Sequence, residues 1–130
     1  MEPVTYGMSR IVADPYAAAV DKVKAALQAE GFGVLCEIDV QATLKEKLGI
    51  ESGRYVILGA CNPALAHKAL TAEPEIGLFL PCNVVVFDTG DGIKVSAIDA
   101  EVMLGMIDNP VLADVAAEVK ARLRRVVDAV

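Results

Sequence analysis

Apolar positions in this chain fall into two kinds of pattern. Short continuous or alternating runs mark strands, and recurrences every three or four residues mark helices. Residues 4–12 make the first expected strand. Asp14-Pro15 then opens a helix, with Asp14 as N-cap and Pro15 in the first helical position. Tyr16, Val20, Val23 and Leu27 follow at spacings of four, three and four, which is one helical face, and Gly31 stops it. Residues 32–38 read as a second strand. A short helix over 41–48 comes next, with Leu44 and Leu48 on one side and Gly49 as its stop. The run Tyr55-Val56-Ile57-Leu58-Gly59-Ala60-Cys61 has no polar break and reads as a central strand covered on both faces.

Asn62-Pro63 is another cap and first-turn pair, and it opens a helix to about residue 70. Residues 84–88 and 93–98 are strands joined by Thr89-Gly90-Asp91-Gly92, a hairpin signal. Ile93, Val95 and Ala97 alternate with Lys94 and Ser96, which predicts one wet face near a sheet edge. Asn109-Pro110 starts the last helix, whose stripe is Leu112, Val115, Val119, Leu123, Val126 and Val130. This order predicts one α+β domain over residues 1–130. It is a two-layer arrangement, a mixed sheet of about five strands with helices mainly on one face.

Composition sharpens that picture. Hydrophobic residues make up 55% of the 130, while Phe and Tyr number three each and Trp is absent. So aliphatic a chain is expected to keep apolar surface after one small core closes, which predicts a homodimer. The net charge of −6, without a basic stripe, gives no footprint for nucleic acid. Lys and Arg sit mostly beside Asp and Glu in helices and read as solvated faces. The apolar runs are too short to cross a bilayer. Met1-Glu2-Pro3-Val4 carries no basic segment ahead of an apolar one, so no secretory signal is read and the three cysteines are expected as reduced cytoplasmic thiols.

Candidate chemistry centres on two similar turns, Cys61-Asn62-Pro63 and Pro81-Cys82-Asn83. Cys61 precedes a helix N-terminus, whose field favours a thiolate, so it is expected to be the most reactive thiol. Cys82 enters a strand, and Cys36 lies mid-strand and is expected to be inert. If the strands ending at Cys61 and starting at Cys82 run antiparallel, the thiols meet at one end of the sheet. If they run parallel, they do not. His67, the only histidine, sits about a turn and a half into the helix after Cys61, too far round to activate it. No chelating cysteine or histidine spacing is present, so no metal site is read. Glu37 and Asp39 share one face of a strand end, where they form either a carboxylate pair or a helix cap beside a partner for Lys47. The glycine turns Gly31-Phe32-Gly33 and Thr89-Gly90-Asp91-Gly92 do not open helices in a βαβ unit and are not phosphate loops.

Four stretches carry a family resemblance: Gly31-Phe32-Gly33-Val34, Glu37-Ile38-Asp39-Val40, Leu58-Gly59-Ala60-Cys61-Asn62-Pro63 and the segment from Ile76 through Pro81-Cys82-Asn83 to Val86. With these the chain resembles the domain-of-unknown-function 302 family from about Tyr6 to Ile107. The resemblance implies a small helix-covered α+β fold, often homodimeric, with motif positions that include Glu37, Lys47, Tyr55 and both Cys-Asn pairs. It implies no assigned activity. Asp99-Ala100 departs from the family's frequent Asp-Pro, which is expected to loosen the turn after the last strand.

Together the residues point to a cytoplasmic homodimeric module for a small soft or thiol-reactive ligand, such as a sulfur compound or metal complex. Its site is expected to be lined by Cys61, Asn62, Cys82 and Asn83, with Glu37 and Lys47 at the rim. The residues leave the cofactor unknown, and nucleic acid and membrane are not expected partners. Two other readings stay open: an enzyme using Cys61 or Cys82 as nucleophile, and a structural dimer in which both thiols are packed.

Overall fold

The computed structural model describes residues 4–130, so the Met1–Pro3 stretch read for a secretory signal lies outside the described residues. The elements are β1 (Gly7–Val12), α1 (Tyr16–Ala29), β2 (Gly33–Asp39), α2 (Val40–Leu48), β3 (Tyr55–Cys61), α3 (Pro63–Ala72), a 3-10 helix (Pro74–Phe79), β4 (Cys82–Asp88), β5 (Ile93–Ile98), α4 (Ala100–Leu104) and α5 (Pro110–Ala129). The fold is α+β. Its five strands form one sheet in the order β1-β5-β4-β3-β2, and every neighbouring pair is antiparallel. The expected mixed sheet is therefore corrected. Strand direction depends on which strands pair, and periodicity does not encode that.

One face of the sheet is the core. Met8, Val56, Leu58, Val84, Val86, Val95 and Ala97 alternate inward and are buried against helices. Ala19, Val23 and Leu27 of α1 and the stripe of α5 from Leu112 to Val127 close over them. Each fully buried Leu or Val is worth roughly 1.5–3 kcal/mol of hydrophobic stabilisation. Tyr16 and Val20, on the expected α1 face, pack at the edge of this core. The alternate strand positions look the other way, and most of them are only half-buried. Tyr55 and Ile57 of β3 belong to this set, so β3 is covered on one face, not two. Lys94 also lies on this second face, but it is 7% exposed and so is not the wet position expected of it.

Local signals that rest on backbone chemistry reappear in the structure. Asn62 accepts a bond from the Leu65 N–H at 3.2 Å, with Pro63 in the first turn. Asp39 accepts from the Ala42 N–H at 2.9 Å and so caps α2. Gly49 ends α2 at φ 65°, and its N–H donates to the Lys45 carbonyl. Asp14 is a correction. It caps nothing and instead pairs with Lys22 at 2.6 Å, while the Pro15 carbonyl accepts the first bond of α1. α2 buries no residue, and Leu48 is 66% exposed, so the apolar side expected for it is left open.

The turn after β5 is not loose. Asp99 accepts from the Glu101 and Val102 N–H groups and starts α4, a helix missed in the sequence. Its other oxygen meets Lys120 of α5 at 3.1 Å, and Ala100 behind it is fully buried. Asp99 and Glu101 together hold the Lys120 amine above its ordinary range. Asp99→Ala removes a cap and a tether at once. It is expected to lower the urea-unfolding free energy by about 1–2 kcal/mol, read from the transition midpoint.

Candidate functional site

β3 and β4 pair antiparallel with Ala60 opposite Cys82. One strand therefore ends at Cys61 beside the point where the next begins at Cys82, and the two thiols come to one end of the sheet. Both line a cavity of about 30 Å³ under α3 and α5, walled by Ala60, Ala69, Ile76, Met103 and Val119 among others. That volume holds one or two water-sized molecules, and its wall is almost wholly apolar. Cys82 shares the inward set of β4 with Val84 and is 7% exposed, while Cys61 at the strand end is half-buried. Burial, with the Cys61 sulfur adding to it, pushes the Cys82 thiol from its ordinary 9.0 up to about 11. At neutral pH it is a neutral, soft group facing a nonpolar space.

Asn62 also borders the cavity. Its amide oxygen is committed to capping α3, and its amide nitrogen lies close over Gly31, where a Cβ would come within 3.0 Å. The other predicted residues are not at this cavity. Asn83 alternates to the second face of the sheet, is exposed, and borders a groove with Leu78, Pro81 and Ile98. Glu37 lies opposite Leu58, three residues from Cys61 along β3 and so roughly 10 Å away by strand rise. It pairs with Lys24 at 2.8 Å and lines a charged groove of about 380 Å³ with Tyr16, Gln41 and Arg54. Asp39 is occupied as a cap, and Lys47 is exposed near the end of α2. The expected rim of Glu37 and Lys47 is thus corrected. Antiparallel pairing sets Gly33, not Glu37, level with Cys61.

His67 is exposed on the outer side of α3, beside Lys68 and Thr71, whereas Leu65, Ala66 and Ala69 face the cavity. Helical spacing separates these two sets, so no Cys–His pair forms. Cys36 is a second correction. It is exposed, because β2 is a sheet edge and its pairing shifts between Val34 and Cys36. Its sulfur lies directly over Gly59. A Cβ on Gly59 would fall 2.5 Å from Cys36 Sγ and 2.9 Å from Pro81 Cγ, so this position is glycine for space, not for backbone angle. The cavity wall supplied by Ala69, Ile76 and Met103 was not read from the sequence. Nothing local distinguishes these side chains from other core residues, although Pro74 marks the turn that brings Ile76 in.

The fold and cavity define a two-layer α+β protein with a small apolar pocket, lined by Cys61 and Cys82, at one end of an antiparallel sheet. The family described as Domain of unknown function DUF302 matches residues 8–130, and the chain belongs to it. The crystal structure of an uncharacterized conserved DUF302 protein from Bacillus stearothermophilus is similar at a TM-score of 0.90 and 31% identity, covering 97% of this chain and 98% of that one. No curated protein matches the chain.

Thiol chemistry separates the three cysteines. In dilute native protein, competitive alkylation followed by mass spectrometry is expected to label Cys36 first, Cys61 next and Cys82 only on unfolding. The raised Cys82 value also has a sign. The unfolded thiol ionises above about pH 9 while the native one stays protonated, so this contribution to stability is present below that pH and is lost as pH rises towards 11. Urea midpoints of wild type and Cys82→Ala, compared from about pH 8 to about pH 10, are expected to converge as pH rises, and parallel curves would refute it.

Proposed function

We propose that this protein is a small-ligand-binding module, acting as a cytoplasmic homodimer, whose site is the cavity between Cys61 and Cys82. The observation that carries the reading is the meeting of two unpaired thiols, one half-exposed and one buried, at a single apolar cavity. A ligand for that space is small, neutral and soft. It would seat against the protonated Cys82 thiol and meet the accessible Cys61 sulfur on the way in. A small thiol-reactive or sulfur-bearing molecule fits this chemistry, and charged metabolites do not fit an apolar wall. Free thiols suit the reducing cytoplasm. Exposed apolar side chains such as Leu35, at 69%, suit a partner copy.

The cysteine-nucleophile alternative would use Cys61 alone, since His67 faces away and no carboxylate among the described residues borders the cavity. Methyl methanethiosulfonate and methylmercury are suitable probes. In the Cys36→Ser background, which removes the exposed thiol, native mass spectrometry is expected to show one adduct at the cavity with a raised thermal midpoint, lost when Cys61 and Cys82 are also serine. Absence of an adduct in Cys36→Ser would reject the reading. Release of a product with turnover would move it to the enzyme alternative.

A further inference from the structure

The amide of Asn62 has a second end that the cap of α3 does not use. Its oxygen accepts from the Leu65 N–H at 3.2 Å, which fixes the orientation of the group and turns its nitrogen towards Gly31. That nitrogen donates to no group among the described residues, although Asn62 is half-buried beside Cys61 and borders the cavity. Arg122 of α5 reaches the same spot. Its Nε donates to Glu118 and its Nη1 to the Glu30 carbonyl, both at 2.8 Å, while Nη2 has no partner among the described residues. A Cβ on Gly31 would stand 3.0 Å from Asn62 Nδ2 and 3.3 Å from Arg122 Nη1, so two donors converge over a residue with no side chain to fill the space. Gly31 is exposed, and Phe32, next along the chain, is buried and lines the cavity. The donors therefore stand between solvent at Gly31 and the apolar wall at Phe32.

We infer that Asn62 and Arg122 hold an anionic end of the ligand, a carboxylate or sulfonate, over Gly31 while its soft end meets the Cys61 sulfur. This rests on the cavity reading above and names the other half of the ligand. The molecule is a small thiol-reactive or sulfur-bearing species that carries one oxyanion. Its charge stays outside the apolar wall, where guanidinium and amide N–H groups suit carboxylate and sulfonate oxygens. Two carboxylates lie close by, and both are engaged. Glu118 takes the Nε edge of Arg122, and Glu30 pairs with Arg125 at 2.8 Å. Tying α5 to the end of α1 uses only part of the Arg122 guanidinium, and the rest is left for a ligand. The net charge of −6 favours cations over the surface as a whole, so a preference for anions at Cys61 is a local signature of this pair.

Charged methanethiosulfonates read this preference directly. In the Cys36→Ser protein at about 20 mM salt, Cys61 is labelled with the 2-sulfonatoethyl and the 2-(trimethylammonio)ethyl reagent, and each rate is divided by that reagent's rate with 2-mercaptoethanol. The anionic reagent is expected to be favoured at least about fivefold, as one cation about 5 Å from the charged end produces in a partly screened setting. Asn62→Asp keeps a capping oxygen and replaces the donor nitrogen, and Arg122→Gln removes the charge. Each is expected to bring the ratio to about one or below, with circular dichroism unchanged. An equal or cationic preference in Cys36→Ser overturns the inference, as does an anionic preference that both substitutions leave intact. Titration with ethanesulfonate, which does not react with thiols, gives a second readout. The Asn62 side-chain amide signal in nitrogen–proton NMR spectra is expected to shift saturably below about 50 mM. If Cys61 takes up neither reagent, or a variant fails to fold, this titration decides alone: a saturable shift upholds the inference and no shift overturns it. A Cys61 adduct formed without charge preference removes this inference and leaves the cavity reading standing.

Discussion

One layer of helices serves a five-stranded sheet, and everything else in the molecule follows from that shortage. A sheet has two faces, and α1 and α5 cover only one of them. On that side the inner strands β3, β4 and β5 supply Val, Leu, Ala and Ile at their centres, and charges appear on the edge strands, at Arg10, Glu37 and Asp39, and at Asp88 where β4 ends. Lys24 reaches Glu37 there, and Arg10 reaches the carbonyl of Asp128 at the end of α5. The other side carries Tyr55, Ile57, Val85 and Phe87 on β3 and β4, and Ser9, Lys94 and Ser96 on β1 and β5.

The same architecture places the thiols. A long helix over an antiparallel sheet leaves its least complete packing at the sheet's ends, where strands turn into helices. The cavity lies at such an end, between the close of β3, the opening of β4 and the first turns of α3. Cys82 is held neutral by the core around it, and Cys61 stands at the boundary. Cys36, the most accessible of the three thiols, lies over Gly59 near the sheet edge.

Some of this was legible in the residues. The two helix faces of α1 and α5, the caps at Asn62 and Asp39, the stop at Gly49 and the hairpin at Thr89–Gly92 are all local. Each depends on contacts within a few residues, and the sequence carries them directly. Asp14 misled because a carboxylate before proline can cap or can reach a lysine two turns on, and the lysine won. Asp99 and α4 were missed because a single helical turn has no period to detect.

What the sequence by itself determined is therefore the five strands and the longer helices, an acidic aliphatic chain and two matched cysteine turns, but not the 3-10 helix or α4. What only the tertiary structure decided is which of them meet. The register of β3 on β4 brought Cys61 to Cys82, and the register of β2 on β3 carried Glu37 away from them. Edge position exposed Cys36, and central position buried Lys94. Pairing partners lie tens of residues apart, and their choice is settled by the combined burial of a whole face, which no local window contains.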